Sequence, residues 1–224
     1  MVLARLLAPP LCWGCGHPSR LDEPLCLGCR RTLRHLGRER VDLAGVTTWA
    51  PVAYEGAPRE LVRGLKFRGA IALADAMAAL IAANAPEEVL PRADGRAALP
   101  RADRTAASEA PALVPVPLHP NRRRRRGFNQ AAILAEALAR RTGLAVADCL
   151  TRSGGAGTQV GRARAARLAA PPGTIRAEGP VPPRAVLVDD VVTTGATLAA
   201  CARTLRAAGA DEVRAVTFAR TLGR

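Results

Sequence analysis

The segment Ala185-Val-Leu-Val-Asp-Asp-Val-Val-Thr-Thr-Gly-Ala-Thr197 constrains the fold more than any other part of the chain. Four apolar residues lead into two adjacent acids, and a Thr/Gly-rich turn then opens into a helix. A buried strand ending in Asp189 and Asp190 sets two carboxylates at the carboxyl edge of a sheet, where open α/β folds bind ligands. Thr193, Thr194, Gly195, Ala196 and Thr197 then offer backbone N–H groups, hydroxyls and the positive end of a helix dipole, which suit a phosphate. Acids for sugar hydroxyls or a metal, beside that cradle, describe a site for a phosphorylated sugar. Walker-type strands also end in acids, but the chain has no G-x-x-x-x-G-K-[ST]. Receiver domains need more sheet downstream than the one helix and one strand for which the chain after Thr197 has room. A purely structural strand–turn–helix gives no reason for two acids beside a threonine-rich turn.

At 224 residues the chain holds one ordinary domain and a small accessory module. Aromatics make up only 3% of it, so Ala, Leu and Val must fill the core. The formal charge of +14 attracts polyanions: nucleic acid, an anionic membrane surface or phosphorylated ligands. Lys66 is the only lysine among 33 Lys and Arg residues, which suggests a place for a compact ammonium rather than a planar fork. No run approaches the roughly 20 apolar residues of a membrane span. The opening Met-Val-Leu-Ala-Arg-Leu-Leu-Ala-Pro-Pro is too short and Pro-broken for a signal peptide. The expectation is a cytoplasmic protein with reduced cysteines.

Four of the six cysteines are patterned as Cys12-Trp-Gly-Cys15 and Cys26-Leu-Gly-Cys29. Two C-x-x-C pairs form two knuckles able to close a tetrahedral thiolate site for Zn²⁺. Disulfides are the competing reading, and a reducing compartment argues against them. Four ligands leave no open position, so the metal is structural. Cys149 and Cys201 stand alone and read as small core hydrophobes.

The remaining organisation is α/β. A zinc-ribbon-like module over residues 1–40 precedes a domain over 41–224. Thr47–Tyr54 reads as an edge strand because Pro51 cannot donate to a ladder. Glu60–Phe67 reads as a short helical turn and Ile71–Ala83 as a helix. Residues 84–111 lack apolar periodicity and read as a mobile insertion. Strands are expected at Ala112–Pro115, Leu144–Leu150, Ala185–Val188 and Glu212–Ala219. They alternate with a helix capped by Asn129 and closed by Gly143, and with another over Thr197–Ala208. Strands separated by helices imply a parallel sheet.

A second informative stretch runs from Leu113 through Val-Pro-Val-Pro-Leu-His-Pro-Asn and five arginines to Gly-Phe-Asn-Gln130. A strand enters a Pro-stiffened loop, and Arg122–Arg126 then supply guanidinium forks suited to phosphate oxygens. A charge run is more often a solvated loop, but this one lies between a strand end and a capped helix.

The segment at 185–197 resembles the phosphoribosyl pyrophosphate (PRPP) fingerprint of type I phosphoribosyltransferases. Together with the knuckles, Gly64-Leu-Lys-Phe-Arg-Gly69, Val114–Pro120 and Arg126-Gly-Phe-Asn-Gln130, it is similar to the ComF family of competence-associated proteins. That resemblance implies a type I phosphoribosyltransferase-like parallel sheet flanked by helices, with an N-terminal zinc module. It implies ribose held by Asp189 and Asp190, and the 5′-phosphate by Thr193, Thr194, Gly195, Ala196 and Thr197. Lys66 and Arg126 become candidate catalytic positions. Arg123, Arg124, Arg125, Arg126, Arg152, Gln159 and Arg167 become candidates for the pyrophosphate and the flexible loop, in which Ala170 stands where the family usually has Asn. The implied cofactors are structural Zn²⁺ and Mg²⁺ with PRPP. The implied activity is transfer, or binding alone, of a 5-phosphoribosyl group in DNA uptake, with single-stranded DNA and a competence helicase as partners. The rival expectation is a non-catalytic single-stranded-DNA adaptor with PRPP as regulator. An interleaved aromatic platform of the kind single-strand binders use is nearly absent.

Overall fold

The computed structural model describes residues 10–20, 23–92, 110–153 and 175–223. Its frame is a pair of nine-residue parallel strands, β8 (Arg184–Val192) and β9 (Glu212–Arg220). They alternate faces as strand geometry requires. Val186, Val188, Val216 and Phe218 enter one apolar cluster, whereas Ala185, Leu187, Val213 and Ala215 enter the other. Burial on both faces explains why these strands read as nearly continuous apolar runs.

The sheet continues with β1 (Val41–Asp42), β2 (Thr47–Trp49), β4 (Ala112–Pro115) and β5 (Ala145–Val146), in the order β1-β2-β9-β8-β4-β5. Only β1 runs antiparallel. A short β3 (Val52–Ala53) pairs with β9 in the same register as β2, so Ala50 and Pro51 merely interrupt one strand. The edge expected at Thr47–Tyr54 is covered: β1 pairs with β2, and the Leu36 N–H donates to the Pro51 carbonyl at 2.9 Å. A missing N–H there removes a donor from the covered side without breaking the pairing to β9.

Helices α2 (Gly56–Phe67), α3 (Leu73–Asn84) and α5 (Gln130–Thr142) share the first cluster through Leu61, Leu65, Met77, Ile81, Leu134 and Leu138. Helix α6 (Ala196–Ala207) covers the other face with Leu198, Cys201 and Leu205, as its periodicity leads one to expect. Helix α2 starts earlier than expected because Pro58 sits in its first turn, where no N–H is needed. Val89 and Leu90 are buried, so the early part of the stretch at 84–111 packs into the core, while residues 93–109 lie outside the described residues.

Two other elements differ from expectation. The strand expected over Leu144–Leu150 is reduced to β5, with Val146 exposed. The chain then turns at Asp148 into a separate antiparallel ribbon, β6 (Leu150–Arg152) with β7 (Ile175–Ala177). The arginine run is not a loop but a seven-residue helix, α4 (Pro120–Arg126). Pro120 begins it, the His119 ring accepts the Asn121 N–H at 3.2 Å, and left-handed Gly127 ends it.

The connection from β4 runs through α5 on one face of the sheet, and that from β8 runs through α6 on the other. The carboxyl ends of β4 and β8 therefore form a topological switch point, where open α/β sheets place their ligands. The Val116 N–H donates to the Val188 carbonyl at 3.0 Å, fastening both loops at this crevice.

Candidate functional site

The two acids at the end of β8 are not equivalent. Asp190 is 2% exposed, and its Oδ2 lies 2.7 Å from the Nζ of Lys66, which arrives on the last turn of α2. Asp189 is partly exposed and accepts the Asp190 backbone N–H at 2.8 Å. Desolvation, and then the negative charge of Asp190, push the Asp189 carboxyl well above the usual carboxylate range, and Lys66 offsets this only in part. Two carboxylates sharing one cation leave an electrostatic demand at Asp189 that a ligand cation or a sugar diol can meet.

Beyond the acids the chain turns through Thr193 and Thr194, both exposed, into α6. Gly195 caps that helix at φ 75°, a left-handed position that penalises any side chain. A Cβ there would also lie 2.6 Å from the Cβ of Leu43, at the tip of the β1–β2 hairpin. Gly195 offers no side-chain cap, and of the first-turn amides that of Ala196 donates to Thr194 Oγ1 at 3.5 Å, a contact an anion can replace.

On the β4 side, Asn129 fixes the approach of α5. Its Oδ1 accepts the Ala131 N–H at 3.1 Å, and its Nδ2 donates to the Val116 carbonyl at 3.1 Å. Buried Gln130 accepts from Arg126 Nη1 at 3.0 Å. Burial lowers the Arg126 pKa, while the charges of Asp190 and Asp189 raise it, which places its guanidinium in their field. The same guanidinium lies 5.0 Å from the ring centroid of Phe67, a side chain 71% exposed. Arg122, Arg123, Arg124 and Arg125 are exposed, and Arg124 donates to Asn121. Of the five arginines, only Arg126 turns inward.

Arg152 ends β6, and its Nε is buried without a hydrogen-bond partner among the described residues. Burial, and then the Asp189 charge, push the Cys201 thiol up to about 12, and Arg152 pulls it the other way. The charges of Asp189 and Arg152 thus both reach Cys201. Gln159 and Arg167 lie outside the described residues.

The four patterned cysteines gather at one point, with their sulfurs all within 4.8 Å of one another. All six cysteines are free. Zn–S bonds of about 2.3 Å put the corners of a tetrahedron about 3.8 Å apart. The Cys15–Cys26 separation of 3.7 Å fits that figure. Backbone N–H groups of Gly14 and Cys26 donate to Cys12 Sγ at 3.3 and 3.2 Å, and that of Cys29 to Cys26 Sγ at 3.5 Å. Burial alone would raise the Cys12 thiol, but the backbone amides of Cys26, Cys15 and Gly14 bring it down to about 6, favouring the thiolate that metals take. The donor set fits a metal ion such as zinc, with no position left open.

The phosphoribosyl transferase domain family matches residues 125–223. The chain is also similar over nearly its full length to proteins named DNA utilization protein YhgH. It is 32% identical to that of Salmonella typhimurium strain LT2, over 97% of this chain and all of the relative. The protein of that name from Escherichia coli K12 shows the same identity and coverage, and that from Shigella flexneri is 31% identical. The chain belongs to the ComF family of phosphoribosyltransferase-like proteins. Among the described residues no helix is long and apolar enough to cross a membrane.

Seen as a ComF-family fold, the crevice brings together Asp189, Asp190, Lys66, Arg126 and the Thr193–Thr197 turn, and leaves Arg123–Arg125 on the surface. Sequence reasoning did not foresee Gln130 as the holder of Arg126, although the two are four apart on successive helices. It also missed the seat of the Gly195 turn on Leu43, a contact between distant parts of the chain with no local signature. Trp49 is fully buried, with its Nε1 donating to the Gly37 carbonyl at 2.9 Å.

Proposed function

We propose that this ComF-family protein binds PRPP with Mg²⁺ in the β4–β8 crevice and transfers its 5-phosphoribosyl group, in the service of DNA utilization. The observation that carries this reading is the partly exposed, electrostatically unsatisfied Asp189 beside the N-terminus of α6, at the sheet's switch point. Asp189 accepts from the ribose hydroxyls, and the turn from Thr193 to Thr197 grips the 5′-phosphate. In the transfer, an acceptor lone pair forms a bond to C1 as the C1–O bond breaks, and the pair leaves with pyrophosphate. Arg126, held by Gln130, and Lys66 neutralise the charge that develops on the departing group. Mg²⁺, when bound, adds charge neutralisation at the pyrophosphate, and Asp189 is the carboxylate free to hold it directly or through water. The chain's contribution is positioning and electrostatics rather than covalent chemistry. The four cysteines hold a structural Zn²⁺.

Calorimetric titration of PRPP with Mg²⁺ tests this reading. Wild type should give a saturable heat that Asp189→Ala abolishes, and pyrophosphate release with a nucleobase panel should vanish in Asp190→Asn. Binding unchanged by Asp189→Ala would overturn the assignment.

A second reading, a single-stranded-DNA adaptor, is favoured by the exposed arginine face of α4 and by the names of the relatives. It requires that affinity for an oligonucleotide fall steeply with salt and that Arg122→Ala, Arg123→Ala, Arg124→Ala and Arg125→Ala together flatten that slope. An unchanged slope excludes α4 as the contact.

A further inference from the structure

Helix α2 touches the cysteine cluster at both ends and carries Lys66 between those contacts and the crevice. A Cβ on Gly14, inside the first knuckle, would come within 3.0 Å of Ala57 Cβ in the first turn of α2. A Cβ on Gly64 would lie 2.7 Å from Trp13 Cζ3, so the indole rests directly on the helix backbone. The Arg68 guanidinium, capping the same helix, lies 5.7 Å from the Trp13 ring centroid. Trp13 itself is held in the knuckle, between Cys12 and Cys15, and its backbone N–H donates to the Pro24 carbonyl at 2.9 Å across to the second knuckle. Gly64 and Arg68 are four apart and share one face of α2, whereas Lys66 leaves from the other side. The last turn is thus pressed by one indole ring while its lysine meets Asp190 on the far side, at 2.7 Å.

We propose that Trp13 is a positioning residue for Lys66: the metal-bound knuckle sets the height of the last turn of α2, and with it the pairing of the ammonium with Asp190. Occupancy of the cysteine site and order at the ligand crevice are therefore coupled through one helix. The pairing itself is independent of any ligand. Its consequence for ligand affinity rests on the PRPP reading given above.

Because Lys66 is the only lysine, ¹³C-lysine labelling of the full zinc-loaded chain yields one ε-methylene resonance. Its two protons should be inequivalent while the side chain is held. Trp13→Leu should merge them and move the signal to the position of free lysine, with one zinc per chain retained. Trp13→Phe should restore the wild-type signal. Leu138→Ala, a core truncation on α5, should leave the signal as in wild type. Gly64→Ala, whose added Cβ would meet both Trp13 Cζ3 and Leu73 Cδ1 at 2.7 Å, is the second variant and should act like Trp13→Leu by displacing the ring from the helix. PRPP affinity should fall about tenfold in Trp13→Leu, as expected for a misplaced binding group. A lysine signal unchanged in both Trp13→Leu and Gly64→Ala overturns the proposal, even if PRPP binds. A signal that moves in a protein showing no PRPP binding supports the coupling and removes the PRPP reading instead.

Discussion

Asp189 and Asp190 are adjacent in sequence but sit in different surroundings. The Asp189 carboxyl is held above its usual range by burial and by its neighbour's charge. Its protonated form is therefore favoured by the fold, and that contribution is present in acid and lost as pH rises through the raised pKa. Asp189→Asn should accordingly melt higher than wild type at pH 8, by on the order of 1 kcal/mol or ~2–4 °C. The gap should close as pH falls toward 4, while PRPP binding is lost throughout; thermal melts across pH check this. Asp190 is instead a buried carboxylate paired with Lys66 at 2.7 Å. Lys66→Met strands that charge and should cost roughly 3 kcal/mol in urea unfolding, part of which Lys66→Met/Asp190→Asn regains.

At the scale of elements, the loops of the crevice depend on single backbone positions. Gly195→Ala adds a Cβ at a left-handed position, 2.6 Å from Leu43 Cβ. It should destabilise by at least ~1–2 kcal/mol and weaken binding of the 5′-phosphate. Leu43→Ala should not rescue it, because the clash is with a carbon that alanine keeps; melts and PRPP titration of the single and double variants decide this. Asn129→Ala should cost ~1–2 kcal/mol, since one side chain both caps α5 and ties it to β4. These elements were unevenly legible in the sequence. The apolar run into Asp189, the Asn129 cap, the Gly143 stop and the cysteine pairs carry local chemistry, so each could be read without the fold. The helix at Pro120–Arg126 was not, because five like charges resemble a repelling loop and its stabilising signals, Pro120, His119 and Gly127, lie at its ends. The ribbon of β6 and β7 pairs residues far apart in the chain, and no periodicity announces such a partner. The division of labour between the two acids was equally hidden, because it is imposed by Lys66 from helix α2, distant in the chain.

At the scale of the whole molecule, the cysteine site belongs to the core rather than to an appendage. Cys12 and Leu25 are buried in the same apolar cluster as α2, α3 and α5. Stripping the metal should therefore lower the melting temperature of the entire protein in one cooperative transition, by several kcal/mol of stability. Calorimetry with and without a chelator checks this, and a separate low-temperature transition for the module would contradict it. The order of the strands carries a further consequence. The stretch that matches the phosphoribosyl transferase domain begins at residue 125, yet β4, inserted between β8 and β5, comes from upstream of it. A fragment excised at that boundary would carry a gap in the middle of its sheet and could regain it only by complementation with the missing half.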